Sequence, residues 1–149
     1  MYKVTTAYIA KNMLVKKMET ADETGYVNVS VFTALGALPV SNAKVSIYTW
    51  NEEEGETLIR SVTTNESGSA PAIELPVLLG QGISSPEGHT EYHLAVEAEG
   101  YHTVIIINVE VYPDIRNQFN VNLTPIPRGE QGGEETVNIP IQIKNNSRR

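Results

Sequence analysis

The chain has 149 residues, no cysteine and a formal net charge of −7; that length suits one domain with a core of its own, and the missing cysteines exclude disulfides, thiolate zinc sites and a cysteine nucleophile. Charge is uneven: residues 1–18 carry +4 from Lys3, Lys11, Lys16 and Lys17, residues 19–115 carry −13 with Lys44 and Arg60 as their bases, and residues 116–149 carry +2. An acidic body lacks the clustered Lys and Arg that a phosphate backbone requires, which argues against a nucleic-acid partner; the basic arm reads first as solvated charge, the alternative being that it lies on such a body, its own or a neighbour's.

Residues 1–19 form an N-terminal arm. Val4, Thr5, Thr6, Tyr8 and Ile9 favour a strand pair turning at Lys11-Asn12; the alternative is a helix with a weak stripe of Val4, Tyr8, Lys11, Leu14, Val15 and Met18. Thr20–Gly25 (TADETG) is a polar, acidic hinge opening a domain that runs over 20–127. Tyr26–Thr33 (YVNVSVFT) alternates as a strand, with Val27, Val29 and Val31 on one face. Leu35–Asn42, holding Gly36 and Pro39, connects it to Ala43–Trp50 (AKVSIYTW), where Val45 and Ile47 face in and Lys44, Ser46, Tyr48 and Trp50 share the other face. Asn51–Glu56 (NEEEGE) is an acidic hairpin loop, Thr57–Thr64 a strand, Asn65–Gly68 a tight turn, and Ala72–Val77 a short strand.

Leu78–Glu91 holds three glycines and a proline and is expected to be the longest loop. Tyr92, Leu94, Val96 and Ala98 then alternate with His93, Ala95, Glu97 and Glu99; Gly100 turns the chain into Thr103–Val111, the most β-prone run, and the pair reads as a central hairpin. Asn117–Leu123 is a last domain strand, residues 128–135 a linker, and residues 136–149 a C-terminal strand and tail with Val137, Ile139, Ile141 and Ile143 on one face. Such a face does not stay in water, so Val137–Ile143 is expected to add to a sheet edge, in cis or exchanged between protomers of a homo-oligomer. Short strands with turn signals and no convincing amphipathic helix make an all-β chain: an antiparallel seven-stranded Greek-key sandwich with additional N- and C-terminal strands. An uninterrupted apolar leader and a membrane-length run are both absent, so neither a signal peptide nor membrane insertion is expected, and the chain is expected inside a cell unless a leader has been removed from it.

The segments GYVNVSVFTALGALPVSNAKVSIY, SVTTNESGSAPAIELP and YHLAVEAEGYHTVIIINVEVYP carry a wider pattern: Pro39-Val40 with Ala43 and Val45, Thr64 with Gly68, and Tyr92 through Tyr101. Over about residues 25–124 this resembles the carboxypeptidase-regulatory-like family, which implies a transthyretin-like (prealbumin-like) sandwich and says little about activity. TALGALPV, TNESG before IELP, and NVEVYPDI…NVNLTPIP look more narrowly like the small domain of clostridial spore-cortex-lytic proteins. That likeness implies an accessory or targeting role at spore or envelope peptidoglycan; no hydrolase portion accompanies the domain, and the extra C-terminal strand has no counterpart in the pattern. Hydroxyisourate hydrolases share the transthyretin-like fold and end in Tyr-Arg-Gly-Ser, which this sequence lacks.

Candidate site residues are few. His89, His93 and His102 are spaced along a loop and hairpin in a way that does not make them converge, so a metal or acid–base role is not expected. Glu52, Glu53, Glu54 and Glu56, with Asp114, lack the alternating ligands of a calcium loop and read as a solvated tip. Lys44, Glu97 and Asn120 or Asn122 could supply an isopeptide bond, against which stands the outward assignment of Lys44 and Glu97. Tyr48 and Trp50, two apart on one strand face, are the best binding candidates, since aromatic platforms stack on sugar rings or anchor protein partners. The expectation is therefore a non-catalytic accessory or interaction module, with no enzyme activity, cofactor or metal, and a protein, peptidoglycan or glycan partner. The alternatives are a carbohydrate-binding module using Tyr48 and Trp50, and a hydrolase with a site built on the loop near Leu78–Glu91.

Overall fold

In β1 (Glu23–Thr33) buried and part-exposed residues alternate along the strand, because its valines at 27, 29 and 31 fall on one pleat face and are fully buried. The computed structural model describes residues 23–51, 55–77 and 90–138. Over them the chain is all-β, continuing through β2 (Leu38–Pro39), β3 (Lys44–Asn51), β4 (Gly55–Thr63), β5 (Ile73–Val77), β6 (Thr90–Glu97), β7 (Thr103–Val111), β8 (Arg116–Asn122) and β9 (Glu134–Asn138). The strand pair expected within residues 2–18, residues 78–89 of the expected loop Leu78–Glu91 and the end of the C-terminal strand beyond Asn138 lie outside the described residues; Thr90 and Glu91, expected in that loop, instead open β6, because they pair with Val111 and Glu110 of β7.

Two sheets face each other. In one, β1 is flanked on one side by β8 in parallel register, Tyr26 opposite Arg116 through Phe32 opposite Asn122, and on the other by β5 and β2. The other has the order β4-β3-β6-β7-β9. Its centre is the hairpin of β6 and β7, turned by Gly100 at φ 89° and closed by the Tyr101 N–H donating to the Ala98 carbonyl at 3.1 Å. Most pairings are antiparallel; β1–β8 and β7–β9 are parallel. Between the sheets the side chains of Val27, Val29, Ile73 and Leu75 meet those of Ile47, Tyr92, Leu94 and Val96, which is where the apolar residues of the chain are spent.

Three local features fix how the faces are aimed. β1 begins at Glu23, inside the stretch expected to be a hinge, because residues 23–27 pair with β5. Gly25 is required there: an added Cβ would collide with Val111 Cγ1 and the Tyr112 carbonyl oxygen. The turn after β4 forms as expected, with Asn65 Oδ1 accepting from the N–H groups of Ser67 and Ser69 at 2.9 and 3.1 Å and Gly68 at φ 79°. The buried Thr64 hydroxyl donates to the Val40 carbonyl at 2.7 Å and accepts from the Ala43 N–H at 2.9 Å, tying the turn to the start of β3.

Of the strand expected over Val137–Ile143 only Val137 and Asn138 are among the described residues; they belong to a strand that begins earlier, inside the stretch 128–135 expected to be a linker, because residues 134 and 135 already pair with β7. β9 starts at Glu134 and runs parallel to β7 of its own chain, Thr103 opposite Glu134 through Ile107 opposite Asn138. His102 holds its beginning, Nδ1 accepting from the Gly133 N–H at 2.8 Å while the Thr103 N–H donates to the Gly133 carbonyl at 2.9 Å.

Candidate functional site

On β3 the pleat turns Val45, Ile47 and Thr49 toward the other sheet and puts Lys44, Ser46, Tyr48 and Trp50 on the opposite face, where Lys44 and Trp50 are exposed, Tyr48 is half-buried and Ser46 is buried. Cross-strand register decides their neighbours. Tyr48 lies between Leu58 of β4 and His93 of β6, and Trp50 lies opposite Glu56. Ala95 is opposite Ser46 on one side and Ile105 of β7 on the other. Side chains directly opposite one another sit about 5 Å apart at Cβ, so these residues form one continuous patch.

Two bulges shape it. The β3–β4 register shifts between Ile47 and Tyr48, leaving Ile59 as the extra residue of β4 and swinging Leu58 outward beside Tyr48. The β6–β7 register shifts between Tyr92 and Leu94, so that Ile107 and Asn108 together face His93, with Asn108 at φ 62°. Both irregularities therefore flank the single pair Tyr48–His93. A bulge re-aims the side chains around it and is enriched beside functional sites. The exposed large apolar residues of this patch are Trp50, 52% accessible, placed there by the alternation of β3, and Leu58, 53% accessible, placed there by the bulge.

The electrostatics of this face are acidic. Glu56 stands opposite Trp50, Glu97 opposite Lys44 and Glu134 opposite Thr103. Arg60 serves elsewhere: its Nε donates to the Glu74 carbonyl at 2.9 Å, bridging to the other sheet. Behind the patch, Tyr92 is fully buried and its hydroxyl donates to the Pro76 carbonyl, a second link between the sheets. Burial pushes the Tyr92 phenol well above the ordinary tyrosine range, partly offset by the positive charge of Arg60.

The remaining candidates do not assemble. His93 is on the patch, His102 is at the start of β9, and His89 and Glu52, Glu53 and Glu54 lie outside the described residues. Among the described residues no three His, Asp or Glu side chains gather so as to hold a metal ion. Lys44 and Glu97 are cross-strand partners on the outward face, while Asn120 and Asn122 are on the exposed face of the other sheet, so the parts of an isopeptide bond are not brought together. The proposed hydrolase loop near residues 78–89 is not described. Among the described residues no helix is long and apolar enough to cross a membrane.

One polar feature went unread in the sequence. Across β1 and β8 the outward residues pair as Tyr26–Arg116, Asn28–Gln118, Ser30–Asn120 and Phe32–Asn122. Arg116 lies 4.7 Å from the centre of the Tyr26 ring and its Nη1 is 3.5 Å from Asn28 Oδ1; Gln118 Nε2 donates to Asn120 Oδ1 at 3.1 Å and to Ser30 Oγ at 3.4 Å. Period-two spacing of Gln118, Asn120 and Asn122 was the available signal, and only the partner strand gives it meaning.

No family model matches the chain, and no curated protein matches it. Solved structures do match part of it. Catechol 1,2-dioxygenase from Acinetobacter sp. ADP1 is 15% identical with a TM-score of 0.49, over 80% of this chain and 59% of that one. 3-Chlorocatechol 1,2-dioxygenase from Rhodococcus opacus 1CP is 12% identical with a TM-score of 0.47, over 70% and 61%. (S)-Allantoin synthase is 14% identical with a TM-score of 0.47, over 79% and 48%. The chain thus spans about half to three-fifths of the structures it matches. The expectation that it is no enzyme is corrected by these matches, each of which is named as an enzyme. Likeness this distant transfers neither an activity nor a residue. The physical reason for the error is that missing local motifs say nothing about sites assembled from distant strands and loops.

Proposed function

We propose that the chain is a binding module that takes a glycan or glycan-peptide of the bacterial envelope on the outward face of β3, β4 and β6. The observation that carries this reading is the patch beside the two bulges around Tyr48–His93, on which Trp50 and Leu58 stand half exposed. Trp50 and Tyr48 offer ring faces about 7 Å apart along the strand, and the carboxylate of Glu56 beside Trp50 is an acceptor for sugar hydroxyls. The envelope setting comes from the resemblance to carboxypeptidase-regulatory-like and spore-cortex-lytic domains, and it names the ligand class to try first.

Calorimetric titration of the full chain with muropeptides, the soluble disaccharide-peptides of peptidoglycan, tests it. Saturable binding is expected, weakened at least tenfold by Trp50→Ala, about 1.4 kcal/mol. Since the Trp50 side chain is half exposed, the same variant should keep its urea midpoint, shifting stability by no more than about 0.5 kcal/mol. Absence of binding at millimolar muropeptide, or binding indifferent to both Trp50→Ala and Tyr48→Ala, overturns the reading.

A further inference from the structure

Every described sheet edge but one is blunted. β4 carries a bulge and sets Arg60 opposite the inward Ile47, from where its Nε reaches the Glu74 carbonyl of the other sheet. β5 contains Pro76, β2 is two residues ending in Pro39, and β9 opens on Glu134 and Glu135. Bulges, inward charges, prolines and short or charged strands are devices that stop an edge from pairing with another chain. β8 has none of them. Its seven residues (RNQFNVN) hold no proline, lysine or register shift, and their single charge, Arg116, is drawn over the Tyr26 ring.

The ladder shows which backbone groups are left over. The Tyr26 N–H donates to the Ile115 carbonyl at 2.9 Å and the Leu123 N–H to the Phe32 carbonyl at 2.7 Å, so the odd-numbered residues of β8 are the ones that serve β1. The N–H and C=O groups of Arg116, Gln118, Asn120 and Asn122 point away from β1, and among the described residues nothing bonds to them. The chain enters β8 from β7 and leaves it toward Tyr101, which pairs with Pro125; both ends turn to the other sheet, and the described residues leave this edge clear.

The strand is its own complement. Laid antiparallel on a second copy, Arg116 falls opposite Asn122 and Gln118 opposite Asn120. Each such pair joins two residues with edge-facing groups, the hydrogen-bonded position of an antiparallel ladder, and the half-buried Phe119 meets its own copy at the closer position. Gln118 Nε2 already donates to Asn120 Oδ1 and Ser30 Oγ within the chain; the Gln118 Oε1 and Asn120 Nδ2 left over are an acceptor and a donor, and this register sets them opposite one another. No like charges face each other, in a chain of net charge −7.

We infer that two copies of the chain pair through β8, antiparallel and in that register, into a closed dimer. One such edge per chain ends the assembly at two. The two-fold axis stands perpendicular to the joined sheet, so both β4-β3-β6-β7-β9 sheets lie on the same side and both Trp50 patches face the same way. The pairing stands on β8 alone; tighter hold on a polymeric glycan, through two patches engaging together, rests on the reading of the patch as a glycan-binding face.

Sedimentation of the full chain between about 10 μM and about 1 mM, the range of a small interface, should show the mass rising toward that of two chains. Gln118→Pro removes an N–H that β1 does not use, and should hold the chain monomeric with its circular dichroism unchanged. Gln118→Lys with Asn120→Lys, and in a second variant Gln118→Glu with Asn120→Glu, set like charges opposite one another at exposed positions. Each of these variants alone should stay monomeric, and their equimolar mixture should dimerise; they decide the matter if Gln118→Pro does not fold. An unaltered chain that is monomeric throughout overturns the inference, as does a dimer that persists in the lysine variant or a mixture that stays monomeric. Protection of the Gln118 and Asn120 amides from hydrogen exchange that is equal at both ends of the concentration range gives the edge to the same chain, and also overturns it. Insoluble peptidoglycan sacculi should hold the unaltered chain at least tenfold more tightly than Gln118→Pro, with equal affinity of both for muropeptides. Dimerisation as stated without muropeptide binding keeps the pairing and removes the glycan reading; a monomer that binds muropeptides through Trp50 removes the pairing and keeps the binding face.

Discussion

On the outward face of β1 and β8, Tyr26 carries the Arg116 guanidinium over its ring and Gln118 donates to both Ser30 and Asn120. On the outward face of β3, β4 and β6, Trp50 and Leu58 stand half exposed beside Glu56 and Tyr48. The strands are alike; the difference is in what the side chains have already bonded to. A ligand on the first face has to break bonds that the ladder makes within itself, so its net gain is small. On the second face apolar area remains to be covered, worth about 25 cal/mol for each Å² removed from water. Satisfied polar faces serve the fold, and unfinished apolar ones are where a partner has something to gain.

The largest effect expected is a test of what backs the aromatic face. Leu94 is fully buried between Ile47 and Ile106, on the inner side of the strand that presents His93 and Ala95. Leu94→Ala should cost about 2–5 kcal/mol in urea denaturation, the transfer term plus the cavity left behind. Leu58→Ala, on the outward side, should shift stability by no more than about 0.5 kcal/mol. If the two leucines cost the same, Leu58 is covered in solution, and the contrast between a buried inner face and an open outer one is lost.

Sequence reading reached the strands and stopped short of their neighbours. Val27, Val29 and Val31, and again Tyr92, Leu94 and Val96, are buried as their alternation requires, because a period of two is a local property. The placement of Tyr48 and Trp50 outward was legible for the same reason. The bulges were not: in β7 the inward set changes from Val104 and Ile106 to Val109 and Val111, and that break in phase at Asn108 looks like noise until β6 is laid beside it. Leu58 and the amide ladder were missed on this account, since both are made by partners distant in sequence, Gln118 lying 88 residues from Ser30. Gly25 was read as part of a hinge because the close approach of Val111 is a tertiary fact.

A middle-sized effect concerns the bond that holds the two faces on one body. Tyr92 donates to the Pro76 carbonyl from a fully buried ring. Tyr92→Phe should cost about 1 kcal/mol at neutral pH for the lost bond and the carbonyl left unpaired. The pH dependence has a definite sign. In the unfolded chain the phenol gives up its proton above about pH 10, whereas in the folded chain burial keeps it protonated to higher pH. The folded state then binds more protons, so stability is fully present below that pH and declines as pH rises above it. Urea midpoints taken between pH 9 and 11 should fall more steeply for the unaltered chain than for Tyr92→Phe; equal slopes would mean that the phenol is not shielded as the packing implies.

The smallest effect is the one that could reverse the comparison. Arg116→Ala removes the cation from the Tyr26 ring and the contact to Asn28, and at an exposed site the stacking is worth about 0.5–1 kcal/mol. Muropeptide binding should stay unchanged, because Arg116 and Trp50 lie on outward faces of different sheets with the core between them. Suppose instead that Arg116→Ala weakens binding as much as Trp50→Ala does. The ligand would then be using the amide ladder, exchanging bonds among Asn28, Ser30, Gln118 and Asn120 for bonds to its own hydroxyls at little net cost. In that case internal satisfaction would mark a face organised in advance for a polar ligand, and the half-exposed Trp50 and Leu58 would not be the binding face.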